Sequence, residues 1–149
     1  MSLAPDIAAK VRASFARQTM MATLGAELAE IEAGRVVISA PLLPTSLQQD
    51  GAGHAALTFA IGDSAAGYAA LTLMQPEAEV LTAEMKINLL RPAIGDRLIA
   101  EGDVIKSGRR LSVVQARVFA ESDGAQKDIA LLQGTMVPVR GLSGHSAIT

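Results

Sequence analysis

No cysteine and no tryptophan occur in the 149 residues of this chain, and three phenylalanines and one tyrosine are its only aromatic residues. The absence of cysteine excludes disulfides, thiolate metal sites and a cysteine nucleophile. The two histidines, His54 and His145, are far apart in sequence, which argues against a histidine-based metal site. With so few aromatic side chains, the core must be built from Ala, Leu, Ile, Val and Met.

An excess of basic residues is also missing, because the formal net charge is −2. The chain therefore has no basic field, which argues against nucleic acid as its main partner.

Charged residues within the first twenty positions interrupt any apolar core of a secretory signal, so we expect a cytoplasmic location. The hydrophobic fraction of 50% and the length are sufficient for one folded domain with a sizeable core.

Residues 54–74 form the most apolar stretch of the chain, and Asp63 is the only acidic or basic residue within it apart from His54 at its start. The stretch is long enough for a membrane span, but it is rich in Ala and Gly and holds an acid near its centre. A helix buried inside a globular fold is the better interpretation. Burial would raise the pKa of the Asp63 carboxyl and make it a better base near neutral pH, so Asp63 is the first candidate for chemistry. A structural role, with the carboxylate bonded to a nearby backbone N–H, is the alternative.

Hydrophobic periodicity and turn signals predict two helices and six strands. The helices cover residues 5–20 and 54–74, and the strands cover residues 24–30, 35–40, 79–90, 97–106, 111–121 and 127–139. Alternating strands favour an antiparallel sheet, and a single long apolar helix favours a sheet wrapped around that helix, an α+β architecture. We expect an N-terminal helix within residues 1–20, one domain over residues 21–140 and a disordered tail over residues 141–149.

The strand over residues 79–90 alternates cleanly in sequence. The pattern predicts one face with Val80, Thr82, Glu84, Lys86 and Asn88, and an opposite face with Leu81, Ala83, Met85, Ile87 and Leu89.

His54 and Asp63 are nine residues apart on the predicted helix, which places them on opposite faces and about 13 Å apart along its axis. They cannot share one site within one chain, so a reaction that uses both needs two subunits. The first N–H groups of a helix have no intrahelical partner and stabilise negative charge that develops on an oxygen. An acid from one chain facing a helix start from another would suit ester or thioester cleavage.

The segment Gln48-Gln49-Asp50-Gly51-Ala52-Gly53-His54-Ala55-Ala56, with Asp63 nine residues after the histidine, resembles hotdog-fold acyl-CoA thioesterases of the phenylacetate-degradation (PaaI-like) type. The resemblance continues through Arg91-Pro92 and the turn Lys106-Ser107-Gly108-Arg109-Arg110, and it covers residues 24–139. It implies a hotdog fold and hydrolysis of acyl-CoA to the free acid and coenzyme A. It implies no metal or redox cofactor, since coenzyme A is part of the substrate, and a homodimer or homotetramer with the site at the dimer interface.

The resemblance also implies roles for particular residues. Asp63 matches the catalytic carboxylate, acting as general base or nucleophile, and Thr82 matches a hydroxyl residue that helps position the nucleophilic water. Gln48 falls where the family has an asparagine that orients the thioester or the water. His54 and Ala55 match the His-Gly pair at the helix start, where a backbone N–H polarises the thioester carbonyl.

A second group of residues is implied to contact the coenzyme A part of the substrate. It comprises Lys106, Gly108, Arg109 and Arg110 in one turn, with Arg91 expected near that turn. An ordinary solvated turn is the alternative.

Two departures from the family pattern bear on activity. The His-Gly-Gly motif is His54-Ala55-Ala56 here, and Gln48 is one methylene longer than asparagine. A non-catalytic protein that binds acyl-CoA or another acyl ligand is therefore the alternative function. Hydration of an enoyl thioester is a third possibility, but the sequence lacks the clear His–Asp pair that we would expect for that reaction. The sequence offers no obvious platform for an aryl group, although Phe59 and Tyr68 are available to line a pocket.

Overall fold

The computed structural model describes residues 2–141, so the predicted tail lies outside the described residues except for Gly141. The helices are α1 (Pro5–Arg17), α2 (Thr19–Thr23) and α3 (Ala55–Leu71), with a short 3₁₀-helix at Pro44–Ser46. The strands are β1 (Glu27–Glu32), β2 (Arg35–Pro41), β3 (Glu79–Leu89), β4 (Arg97–Ser107), β5 (Ser112–Ser122) and β6 (Ala125–Val139).

The six strands form one sheet in the order β1-β2-β4-β5-β6-β3, and every neighbouring pair is antiparallel. Helix α3 packs on one face of this sheet, and its apolar side chains join those of the strands in one buried core. Branched and unbranched aliphatic residues fill this core, as the scarcity of aromatic residues requires. The predicted α+β class, with an antiparallel sheet around a central helix, is confirmed.

The small residues of α3 let its backbone approach the sheet closely. At Gly102 of β4, an added Cβ would lie 2.3 Å from the carbonyl carbon of Ala65 and 2.4 Å from the nitrogen of Ala66. Such distances leave no room for any side chain, so the helix backbone rests directly on the strand. The Ala-rich composition of residues 54–74 therefore serves helix–sheet packing, and none of the helices within residues 2–141 has the length and hydropathy to cross a membrane.

The N-terminal segment differs from the prediction of one helix over residues 5–20. Helix α1 ends at Arg17 because Gln18 adopts an extended conformation, with φ −75° and ψ 98°, and α2 then begins at Thr19. Gly25 follows with a φ of 66°, a left-handed conformation that glycine adopts without strain and that ends a helical segment. This turn delays the first strand, so β1 begins at Glu27 instead of residue 24.

The predicted alternation of β3 is wrong at its centre because the strand contains a β-bulge. The register with β6 shifts between Thr82 and Glu84, so the intervening Ala83 is the extra residue. An extra residue reverses the alternation beyond it. Val80, Thr82 and Met85 consequently face α3 and the core, whereas Glu84 faces away and accepts a hydrogen bond from Thr135.

The two edge strands of the sheet differ in character. β1 is six residues long and carries Glu27, Glu30 and Glu32, which are exposed charges of the kind that discourage edge pairing. β3 is eleven residues long and pairs only with β6 among the described strands. Leu81 and Leu89 of β3 are 45% and 55% exposed. β3 is thus a long edge with apolar side chains and one unpaired row of backbone groups.

Candidate active site

Asp63 lies in the middle of α3 on the side that faces β3. Its carboxylate is half-buried, and its Oδ1 accepts a hydrogen bond of 2.7 Å from the Thr82 hydroxyl. Burial raises the pKa of the Asp63 carboxyl above its ordinary value, and the bond from Thr82 opposes part of that rise. The same hydroxyl lies 3.4 Å from the sulfur of Met136. The structure therefore brings Asp63 and Thr82 together, as the resemblance implies.

A cavity of about 290 Å³ opens beside Asp63, and we call it the Asp63 cavity. Its walls come from α3, β3 and β6, from Ser14 of α1 and from Gln18, the residue that follows α1. The Gln18 amide donates to the Tyr68 hydroxyl over 2.7 Å, and the Ser14 hydroxyl is 3.1 Å from the same oxygen. Of the two aromatic residues that the sequence offers for a pocket wall, Tyr68 lines this cavity and Phe59 does not. The sequence patterns assign no role to Ser14 or Gln18, although these polar residues are spaced four apart at the end of the first helical segment.

The start of α3 is organised by His54. The imidazole Nδ1 of this N-cap residue accepts a hydrogen bond of 2.9 Å from the backbone N–H of Ala56. His54 thus caps the helix through its side chain, which is a structural role. The N–H of Ala55 has no acceptor among residues 2–141, and Ala55 is exposed. This N–H is the donor that the helix start leaves available for a ligand oxygen.

Gln48 lies in the loop before α3 and uses half of its amide within that loop. Its Oε1 accepts hydrogen bonds of 2.5 Å from the N–H of Asp50 and 3.2 Å from the N–H of Ala52. Only the Nε2 group remains available for a ligand. Gln48 and Ala55 line a second cavity of about 390 Å³, the Gln48 cavity, together with Arg91 and the end of β3.

The implied coenzyme A contacts lie in two places. Gly108 and Arg109 line a third cavity of about 740 Å³, the Arg109 cavity, which is bordered by Ala78 next to the start of β3. Lys106 and Arg110 are exposed beside this turn and line none of the three cavities.

The expectation that Arg91 lies near this turn is wrong within one chain. Arg91 donates to the carbonyl of Asp128 over 2.7 Å, whereas the strand that follows the turn begins at Ser112, which pairs with Met136. Asp128 and Met136 are separated by about 25 Å along β6, at about 3.3 Å per residue.

The candidate residues therefore fall into two half-sites at opposite ends of β3. The first half-site holds Asp63 and Thr82, with the Arg109 cavity nearby, at the beginning of the strand. The second holds Gln48, Ala55 and Arg91 at the end of the strand. His54 lines neither the Asp63 cavity nor the Gln48 cavity. Within residues 2–141, no group of three His, Asp or Glu side chains is arranged to hold a metal ion.

Comparisons with known proteins bear on what this arrangement does. A sequence model of the thioesterase superfamily matches residues 51–126. A protein of Saccharolobus solfataricus, named provisionally as an esterase, is 31% identical over 101 residues, which are 68% of this chain and 71% of that protein.

Solved structures with the same fold include two bacterial proteins. A thioesterase family protein from Silicibacter pomeroyi is 44% identical with a TM-score of 0.88, and the match covers 91% of this chain and 99% of that chain. The E. coli PaaI protein from the phenylacetic acid degradation operon is 20% identical with a TM-score of 0.83, over 94% and 98% of the two chains. At that lower identity the likeness shows the fold alone.

Proposed function

Because the chain belongs to the thioesterase superfamily, we propose that it hydrolyses acyl-CoA thioesters at a site completed by two copies of the chain. The observation that carries this proposal is the half-buried Asp63 carboxylate. It has a raised pKa, is held by Thr82 and lines a cavity beside the free edge of β3. Thioester hydrolysis is the activity class that follows from the family, whereas the residues and the two-chain site are our proposal.

The free edge of β3 supports the two-chain site. A strand of eleven residues is about 35 Å long, and its unpaired N–H and C=O groups favour pairing with another strand. Pairing of two identical strands about a twofold axis is antiparallel. It would therefore place the beginning of one β3 beside the end of the other, and the Asp63 half-site of one protomer beside the Gln48 half-site of its partner.

The chemistry divides between the two half-sites. The Ala55 N–H would donate to the thioester carbonyl oxygen and stabilise the negative charge of the tetrahedral intermediate. As general base, the Asp63 carboxylate takes a proton from water while the water oxygen bonds to the carbonyl carbon. The carbon–sulfur bond then breaks, and the coenzyme A thiolate leaves and takes up the proton. As nucleophile, Asp63 would instead form an acyl anhydride that water cleaves in a second step.

Thr82 positions Asp63, and its hydrogen bond opposes part of the rise that burial causes in the pKa of the carboxyl. A carboxylate with a raised pKa is a stronger base than an exposed aspartate. Gln48 offers its Nε2 group to the substrate or the attacking water. Arg109 and Arg91 are proposed to contact coenzyme A phosphates from the two half-sites, since both are exposed arginines at cavity walls.

Two observations favour the second candidate, a non-catalytic acyl-CoA binding protein. The amide oxygen of Gln48 is directed into its own loop, and Ala55 adds a methyl group where the resembled motif has glycine. Such a protein would bind coenzyme A esters without cleaving them.

The test is thiol release from short-, medium- and long-chain and aryl-CoA substrates by the parent protein and by Asp63→Asn. We expect release by the parent, and a loss of at least about 10²-fold in the variant because a removed base or nucleophile is not replaced. Hydrolysis of every substrate at the parental rate by Asp63→Asn would overturn the mechanism. Coenzyme A ester binding without thiol release would favour the binding protein.

Stability measurements separate a loss of chemistry from a loss of folding. The folded pKa of Asp63 is above its unfolded pKa, so the folded state binds more protons between the two values and the free energy of unfolding falls as pH rises through that window. Asparagine has no carboxyl group to ionise, so Asp63→Asn removes this loss of stability. Asp63→Asn should therefore be at least as stable as the parent at neutral pH, measured by thermal unfolding, and should lose that advantage in acid.

A further inference from the structure

Three polar side chains, those of Ser14, Gln18 and Tyr68, line the Asp63 cavity together with the Asp63 carboxylate. Tyr68 follows Asp63 by five residues on α3, which places it about 7.5 Å further along the helix axis. Its hydroxyl is bonded to Ser14 of α1 and to Gln18, the residue that follows α1. The Tyr68 side chain is 4% exposed, so this cluster is fixed in position by packing and hydrogen bonds.

Two features of the cavity restrict the chemistry of what fits there. Asp63 and Glu79 both line it, and no basic side chain does so within residues 2–141. Lys10 of α1 donates its ammonium group to the carbonyls of Pro76 and Ala78 instead. A carboxylate on the acyl group would therefore meet like charges on these walls, and none of the residues that line the cavity offers it a counter-ion.

The single aromatic ring of the cavity is already packed. The centroids of the Tyr68 and Phe15 rings are 6.2 Å apart with an angle of 58° between the planes, an edge-to-face type of contact. The Tyr68 ring therefore contributes its hydroxyl to the cavity more than its face. An aryl acyl group has no other aromatic side chain to stack on among the cavity residues.

The hydrogen-bonding capacity of the cluster is only partly used. Gln18 makes one side-chain hydrogen bond within residues 2–141, through Nε2, which leaves its amide oxygen and one N–H available. The Ser14 hydroxyl likewise makes one side-chain hydrogen bond within residues 2–141. A hydroxyl or oxo group of a ligand would find both donors and acceptors here.

We propose that Ser14, Gln18 and Tyr68 determine specificity by binding an uncharged hydroxyl or oxo group on a short aliphatic acyl chain. The inference rests on the proposed function, because it places the acyl group in the Asp63 cavity with its carbonyl at Asp63. A site that hydrogen-bonds a substrate hydroxyl discriminates against the analogue without it more strongly than an apolar pocket discriminates by size.

The experiment measures kcat/KM for 3-hydroxybutyryl-CoA and butyryl-CoA, with succinyl-CoA and phenylacetyl-CoA as the charged and aryl comparisons. We expect the parent to prefer the hydroxylated substrate over butyryl-CoA by about tenfold or more. Succinyl-CoA and phenylacetyl-CoA should be the poorest substrates. A ratio of one, or a preference for succinyl-CoA or phenylacetyl-CoA, would overturn the inference.

Variants test whether the cluster itself supplies the preference. Ser14→Ala and Tyr68→Phe should bring the ratio between the two butyryl substrates close to one, whereas Thr23→Ala, which removes an exposed hydroxyl of α2, should leave it at the parental value. Equal losses on both substrates would indicate that the cluster only anchors α1, and would refute the assignment. Ser14→Ala remains informative if Tyr68→Phe fails to fold.

Gly67→Ala tests where the acyl chain lies. Gly67 lines the same cavity, and an added Cβ would meet Met136 Cε at 3.7 Å, an ordinary contact that the fold accommodates. The added methyl should lower kcat/KM for 3-hydroxybutyryl-CoA more than for acetyl-CoA, and an equal effect on both would place the acyl chain elsewhere. Asp63-dependent hydrolysis without these preferences would refute only this inference, whereas no hydrolysis of any ester would refute the proposed function.

Discussion

The middle of α3, at Asp63, and the first turn of α3, at Ala55, both carry candidate catalytic groups, but their surroundings differ. Asp63 is half-buried, is bonded to Thr82 and faces a cavity with walls from four elements of its own chain. Ala55 is exposed, and its N–H has no acceptor within residues 2–141. The carboxylate is thus held in place by one chain, whereas the donor is open to whatever approaches the end of β3.

This difference determines how much the structure of one chain indicates about the role of each group. Burial and the bond from Thr82 perturb the pKa of Asp63, so its environment within one chain already indicates its chemistry. The Ala55 N–H acquires a role only when a carbonyl oxygen and a carboxylate are brought to it. Two copies of the chain, paired along β3, would bring the Asp63 carboxylate of one copy to the Ala55 N–H of the other. The predictions below change either the open end of the site, at Ala55, or its enclosed end, at Asp63.

The largest expected effect is at the open end. Ala55→Pro removes this one N–H, and proline is well tolerated at the first position of a helix. His54 already has the extended conformation that a residue before proline prefers, with φ −63° and ψ 142°. We expect the fold to be retained and kcat to fall by about 10²- to 10³-fold, as for other lost oxyanion donors. Circular dichroism and thiol-release kinetics check the two parts.

Mixing the variants sharpens the same prediction. In a mixed dimer of Ala55→Pro and Asp63→Asn, one site carries both defects and the other carries none. An equal mixture that exchanges subunits should therefore recover about one quarter of the parental activity. Ala55→Gly keeps the N–H and serves as the control that should remain active. A mixture as inactive as its components, after subunit exchange has been verified, would place both groups of a site in one chain.

A smaller effect is expected at the enclosed end. Thr82→Val removes the hydrogen bond that lowers the pKa of Asp63, so that pKa should rise further. Because the base acts in its ionised form, activity is lost as pH falls through the pKa of Asp63. A higher pKa should therefore move the acid limb of the kcat/KM profile to higher pH. Thr135→Val is a matched control, because it breaks a hydroxyl–carboxylate bond to Glu84 on the outer face of the sheet. An acid limb unmoved by Thr82→Val would show that another group controls it.

The smallest expected effect concerns coenzyme A binding at the two ends. Arg109→Ala and Arg91→Ala should each raise KM by about two- to fivefold with little change in kcat, which is the size expected of exposed charge pairs. The difference from the parent should diminish as salt is added. Arg12→Ala, an exposed arginine of α1 outside all three cavities, is the control. No change in KM for either variant at low salt would exclude these arginines from the binding of coenzyme A.

The family, the fold class and the choice of Asp63 and Thr82 as candidate site residues follow from the sequence and its resemblance, whereas the bond between these two residues is seen only in the structure. A lone acid in an apolar run is costly unless it is used, and this cost alone distinguishes Asp63 from the other acidic residues. The motif from Gln48 to Ala56 predicts the thioesterase family, which the comparisons confirm.

Other features could not be predicted because they depend on single backbone geometries. Strict alternation places Thr82 and Glu84 on one face of β3, and only the bulge at Ala83 turns Glu84 to the opposite face while Thr82 stays towards Asp63. The break at Gln18 depends on one extended residue, and it accompanies the Gln18 amide's bond to Tyr68. The distance between Arg91 and the turn at Arg109 depends on the order of the strands, which local patterns do not encode.

The contact at Gly102 has a consequence for how the site moves. Backbone against backbone at Ala65 leaves no layer of side chains whose rotamers could adjust, so α3 cannot slide over β4 without breaking the packing of both. Asp63, two residues before Ala65, is therefore carried on a part of α3 that is fixed against the sheet. Ser14 and Gln18 are bonded to Tyr68 of the same helix, so the wall that they form beside Asp63 is held against a support that does not shift with its side chains.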